Sequence, residues 1–164
     1  MHNVPMRLAL LALLALSAAA CGGPPAPLDK VVRVDDVVTG WFDAGVTDDG
    51  KNKIVPSISL KITNTSGDPT GGVQLNCIFR RVGDPEEWST ALVRVVDTTG
   101  LAPGATSTPV VVRAPQGYTG LQPRAQLLDN RLFIDAKVEV FGKHGSATWV
   151  KLGDFRIDRQ LLTR

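Results

Sequence analysis

Ile58, Leu60 and Ile62 alternate with Ser59, Lys61 and Thr63, and after a break Val73, Leu75, Cys77 and Phe79 alternate with Gln74, Asn76 and Arg80. Successive side chains of a strand point to opposite faces, so a period of two marks strands that bury one face and expose the other. The break is "NTSGDPTGG", Asn64 to Gly72, a cluster of turn-forming residues. A chain patterned this way must build a sheet with one wet face and must find something to cover the dry one.

Further runs supply the cover. Trp88 to Val96 reads as a third strand, preceded by the break "VGDPEE" at Val82 to Glu87. Thr106 to Arg113 reads as a fourth, after the turn "GLAPGA" at Gly100 to Ala105. Val31 to Phe42 gives one or two strands at the start, and Ala125 to Leu128 a short one. No stretch holds a helical period. Strands separated by turns every 8–12 residues or so suggest two packed sheets. The expectation is an all-β fold, a single Ig-like antiparallel β-sandwich over residues 30–164.

The C-terminal pair of runs, Leu132 to Phe141 and Ala147 to Phe155, flanks "GKHGS". A three-residue loop, Lys143-His144-Gly145, places Gly145 at the left-handed position of such hairpins. It sets Phe141 opposite Ala147, Glu139 opposite Trp149 and Val138 opposite Val150. One face then gathers Ile134, Ala136, Val138, Val140, Val150 and Leu152. The other mixes Phe133, Phe141, Trp149 and Phe155 with Asp135, Lys137, Glu139 and Lys151. Aromatic rings among charges suit a partner-binding surface, and Phe133, Phe141, Trp149, Phe155, Lys137 and Lys151 are its candidate residues. The competing expectation is internal cover by the tail, with Leu161 and Leu162 packed on Trp149.

The N-terminus carries a different message. Arg7 is the one charged residue before a Leu/Ala run, Leu8 to Leu16, and small residues follow at Ser17 to Ala20. These are the parts of a secretory signal peptide, residues 1–20. The apolar run is shorter than the 20 residues or so that a helix needs to cross a bilayer, and Gly22, Gly23, Pro24 and Pro25 end it. The run Leu16-Ser17-Ala18-Ala19-Ala20-Cys21 resembles the lipobox of bacterial lipoproteins, with Ala18 where Leu is usual. The resemblance implies a diacylglycerol thioether on Cys21, cleavage before it, and anchoring by two or three acyl chains such as palmitate. Residues 21–29 then form the lipidated cysteine and a Gly/Pro-rich tether. Gly22 in place of Asp implies the outer membrane where the cell envelope has two membranes.

"PSISLKITNTSGDP", "VQLNCIFRR" and "GLAPGATSTPVVV" together are similar to the small Ig-like FxLYD-type modules of bacterial envelope proteins. The shared elements are Asn64-Thr65-Ser66, Phe79 and Leu101-Ala102-Pro103-Gly104, with Arg80 and Arg81 where that family's name has Tyr-Asp. The resemblance implies a sandwich and a non-enzymatic accessory role, and it brings no site residues with it.

The candidate chemistry is thin. A Ser/His/Asp triad needs a histidine base, and beyond the leader only His144 is available, in a hairpin tip. Cys77 is in phase with Leu75 and Phe79, which reads as a buried thiol rather than a nucleophile. Zinc wants four Cys or His ligands, and the chain does not offer them. Asp43, Asp48, Asp49 and Asn52 in "DAGVTDDGKN" read as a solvated hairpin loop, because the alternate-ligand spacing of a calcium loop is not met. Lys and Arg total 18 against 16 Asp and Glu, with no basic stripe, so nucleic acid is not an expected partner. No cofactor, no metal and no catalysis are expected. The expected function is a non-catalytic envelope lipoprotein that binds a protein partner outside the cytoplasm, on the periplasmic or surface side of a membrane. The alternative is a carbohydrate- or cell-wall-binding module with Trp41, Trp88, Tyr118 or Trp149 as stacking platforms.

Overall fold

The two clearest alternations fall on strands of different sheets. Ile58–Thr63 lies within β2 (Asn52–Asn64) and Val73–Phe79 within β3 (Val73–Arg81). The computed structural model describes residues 26–162, so the leader, Cys21 and most of the tether lie outside the described residues. The remaining elements, in chain order, are helix α1 (Leu28–Val31), β1 (Val32–Val46), β4 (Ser89–Val96), β5 (Val110–Arg113), β6 (Tyr118–Gly120), helix α2 (Arg124–Leu128), β7 (Ala136–His144), β8 (Val150–Arg156) and β9 (Leu161–Leu162). One sheet runs β5-β2-β1-β9, with β6 also on β2, and the other runs β4-β3-β7-β8. Every pairing is antiparallel except β1 with β9. The result is an all-β sandwich. Ile54, Ile58, Leu60 and Ile62 of one sheet share its core with Leu75, Cys77, Phe79, Val138 and Val140 of the other.

The turn clusters do the work their composition implies. Asn64 is fully buried; its amide nitrogen donates to the carbonyls of Asp68 and Leu101, and its side-chain oxygen accepts from the backbone N–H and the hydroxyl of Ser66. Thr70 and Leu101 exchange two backbone hydrogen bonds, 3.0 and 3.2 Å long, which tie the two turn clusters together. Gly100 makes that approach possible: its φ is +80°, and a Cβ there would stand 1.9 Å from the Thr70 carbonyl oxygen.

The C-terminal hairpin departs from its expected register. Gly142 faces Val150 and Phe141 faces Lys151, so the loop is longer than three residues, although Gly145 does take a positive φ of 52°. A bulge then lets Val140 face Gly153 and Val138 face Phe155. The physical reason lies in the spacing of apolar residues along this segment. Val150 and Leu152 sit at even positions, Phe155 and Ile157 at odd ones, and one extra residue is needed to send both pairs toward the core. Phe155 therefore packs against the core and Ile157 is buried, contrary to the outward face expected for Phe155.

Three other expectations change. Phe133 is buried and Ile134 is 45% exposed, the reverse of their expected orientation, because β7 starts only at Ala136 and the residues before it belong to a loop. Ala125–Leu128 is helical rather than extended; Pro123 precedes the helix at φ −51°, and the short turn buries Leu127 and Leu128 together. Leu28 and Asp29, assigned to the tether, belong to α1, where Leu28 is buried against Gly142 and Leu152.

Candidate functional site

The sandwich has two distinct ends. At one, the chain arrives at Ala26, Val32 faces Asn64, and Val73 faces His144. At the other, Asn52 faces Gly120 and Arg81 faces Ala136. An aromatic cluster closes the second end. Trp41 of β1 meets Phe133 edge-on with ring centroids 4.7 Å apart, Tyr118 of β6 lies 4.7 Å from Phe133 and 5.3 Å from Trp88, and Trp88 precedes β4. Trp41 is fully buried, and its indole N–H finds no hydrogen-bond acceptor among the described residues.

Charged groups brace this cluster. Arg159 places its guanidinium 5.0 Å from the Phe133 ring centre and donates to the carbonyls of Phe133 and Leu128. The carboxylate of Asp135 accepts from both Arg156 and Arg159. The Arg159 bond, more than any other cause, holds the Asp135 carboxyl below the usual carboxylate range. The Tyr118 hydroxyl donates to the Ile134 carbonyl and accepts from the Ile134 N–H, fixing the loop over the cluster.

A cleft of about 260 Å³ opens beside these rings, lined by Tyr118, Gln122, Leu127, Asn130, Leu132 and Phe133 among others. The loops around it expose large apolar side chains: Leu121 is 79% exposed, Leu132 84%. Arg124, which opens α2, is ion-paired with Asp43 of β1. Nothing in the sequence singled out Leu121 or Leu132. Their setting is created by residues far apart in the chain, and only the apolar type of each residue was visible beforehand.

The expected partner-binding surface on the C-terminal hairpin comes apart. Phe133 and Phe155 turn inward. Lys137, Phe141 and Lys151 stay on the outward face of the β4-β3-β7-β8 sheet, in an ion network where Glu139 accepts from Arg80 and Lys151. Trp149 sits in the loop before β8, 39% exposed, with the Lys143 ammonium 5.0 Å from its ring centre. Leu161 and Leu162 pair with Trp41 and Phe42, so the tail covers β1 instead of Trp149.

Reactive groups stay scattered. Cys77 is buried, and burial pushes its thiol up to about 12. The His144 ring nitrogen Nε2 lies 2.9 Å from the Ala26 carbonyl, at the end of the sandwich opposite the cleft. No cluster of three or more His, Cys, Asp or Glu residues suited to a metal occurs among the described residues. Among the same residues, no helix is long and apolar enough to cross a membrane.

No family model and no curated protein matches the chain. Among solved structures, the crystal structure of a protein from Bordetella pertussis described as ApaA is similar over 78% of this chain and 93% of its own, at 16% identity and a TM-score of 0.38.

Proposed function

We propose that this chain is a non-catalytic envelope lipoprotein, held outside the cytoplasm by acyl chains on Cys21, which offers the Tyr118–Phe133 cleft to a protein partner. The observation that carries the partner reading is the pairing of Leu121 and Leu132, nearly fully exposed, with a cleft walled by aromatic rings. Exposed apolar groups beside a concave aromatic surface, with charged neighbours, are the makings of an interface. A carbohydrate platform needs open ring faces, and Trp41 has none. Trp88 and Tyr118 are half-buried against Trp41, and Trp149, though exposed, stands apart from the other rings with the Lys143 ammonium against its own.

The arrangement suits the anchor. The tether reaches the sandwich at Ala26, and the cleft opens at the far end. A partner is met on the side turned from the membrane.

Two experiments test the two halves. Radiolabelled palmitate should enter the wild-type chain and be absent from Cys21→Ala, which should leave the membrane fraction; a soluble, unlabelled wild type removes the anchor. A photo-crosslinking residue at position 132 should trap one discrete envelope protein, and the same residue at Asp68, exposed at the opposite end of the sandwich, should not. No adduct at position 132, or an identical pattern at both positions, removes the cleft as the partner site.

A further inference from the structure

Sheets end in edges, and an edge strand presents unpaired N–H and C=O groups to any chain that can pair with them. Three of the edges in this molecule are blunted. β1 carries a bulge between Asp35 and Val38, with Asp36 at φ +50°, and β9 covers Trp41 and Phe42. β8 is bulged between Lys151 and Gly153 and carries the charges of Lys151 and Asp154. β5 is only 4 residues long, with Pro109 before it and Pro115 shortly after.

β4 is different. It runs 8 residues, Ser89–Val96, with neither Pro nor Gly, and its only charge is Arg94. Its register with β3 is unbroken from Ser89 to Arg94. Gln116 holds the Ser89 end through its side chain, but among the described residues nothing outside β3 hydrogen-bonds the backbone from Ala91 to Val96. Leu92 on its outward face is 66% exposed, and Ala91, Val93 and Val95, which face the core, are only half-buried.

We infer that the β4 edge pairs with β4 of a second copy, antiparallel about a two-fold axis at Leu92, joining two four-stranded sheets into one. The sequence of β4 fits itself in this register. Leu92 meets Leu92 of the partner subunit on the outward face, and Ala91 meets the partner's Val93 on the core face. Arg94 falls opposite the partner's Thr90, so the one charge on the strand never opposes its own copy, which would destabilise the pair. Facing residues lie an even number of positions apart, so core face continues into core face. The edge is isologous, as a two-fold interface requires. This inference does not rest on the anchor or on the cleft.

The test uses the full chain. Sedimentation of the purified wild type should show a concentration-dependent dimer. Leu92→Lys sets two ammonium groups against each other at the axis and should weaken association by about tenfold or more, while the melting temperature at concentrations low enough to keep both proteins monomeric should be unchanged, because Leu92 is exposed in the single chain. Directly opposite residues of antiparallel strands lie about 4.5–5.5 Å apart at Cα, within the span of a disulfide. In a Cys21→Ala background, Leu92→Cys should therefore give a reducible covalent dimer under mild oxidation, which neither that background alone nor the same background with Val111→Cys, exposed on the other sheet, should give. A monomeric wild type, or a dimer unaffected by Leu92→Lys, overturns the proposal.

Discussion

The hydroxyl of Thr39 donates a 2.9 Å hydrogen bond to the carbonyl of Arg156, and the same oxygen accepts from the N–H of Asp158 at 3.1 Å. Thr39 belongs to β1 and Arg156 ends β8, so this buried hydroxyl joins the two sheets where the chain crosses between them. Thr39→Val keeps the shape and strands both backbone groups. It should cost about 1–3 kcal/mol in urea denaturation, and Thr39→Ser should cost less.

Gly100→Ala should be among the most damaging single-methyl changes in the molecule. The added carbon meets the Thr70 carbonyl oxygen at 1.9 Å and must also accept φ +80°. The turn can relieve the clash only by giving up the Thr70–Leu101 pair. A loss of more than about 1 kcal/mol is expected, read as a lowered midpoint in denaturant. Gly104→Ala, with φ +72° but open space around it, should cost less.

Cys77 should be silent toward thiol reagents. Its thiol is buried in the sheet and its pKa is pushed up to about 12, so thiolate is scarce at neutral pH. Labelling should track unfolding, appearing with the same denaturant midpoint as the loss of structure. Fast labelling of native protein at Cys77 would contradict this.

Asp135 should make stability fall in acid. Its pKa is lower in the folded state, so the fold gains from the carboxylate above the unfolded value of about 4. That gain is lost as pH falls through the folded value, where both states bind the proton. Melting curves for wild type and Asp135→Asn should differ at pH 7 and converge as the pH is lowered below about 4.

Much of the fold was written in local pattern. The alternations in β2 and β3 mark the core-facing residues of both strands, and Cys77 falls where its phase places it, but Thr63, in phase with the wet face, is buried through its hydroxyl contacts with Asp35 and Thr106. The β8 bulge was also encoded, in the step from Val150 and Leu152 to Phe155 and Ile157, but a hairpin rule that looks only at the loop passes over it. Phe133 was not legible in the same way. Its burial depends on Trp41, Tyr118 and Arg159, none of them its neighbours in sequence. The short α2 has no periodicity to read, since one turn cannot display one. The cleft inherits both difficulties, because its walls come from β6, α2 and the loop before β7.

The buried Leu28 gives the N-terminal junction a mechanical meaning. Its side chain lies over Gly142 and Leu152 of the opposite sheet, and the Ala26 carbonyl just before it is held by His144. Tension arriving through the preceding residues meets this lock before it reaches β1. Beyond it, the pull runs along β1, and the β1–β2 hydrogen bonds lie across the direction of load. With the opposing load taken at the cleft end of the sandwich, those bonds are loaded in shear, all together, instead of being unzipped one at a time from a frayed end.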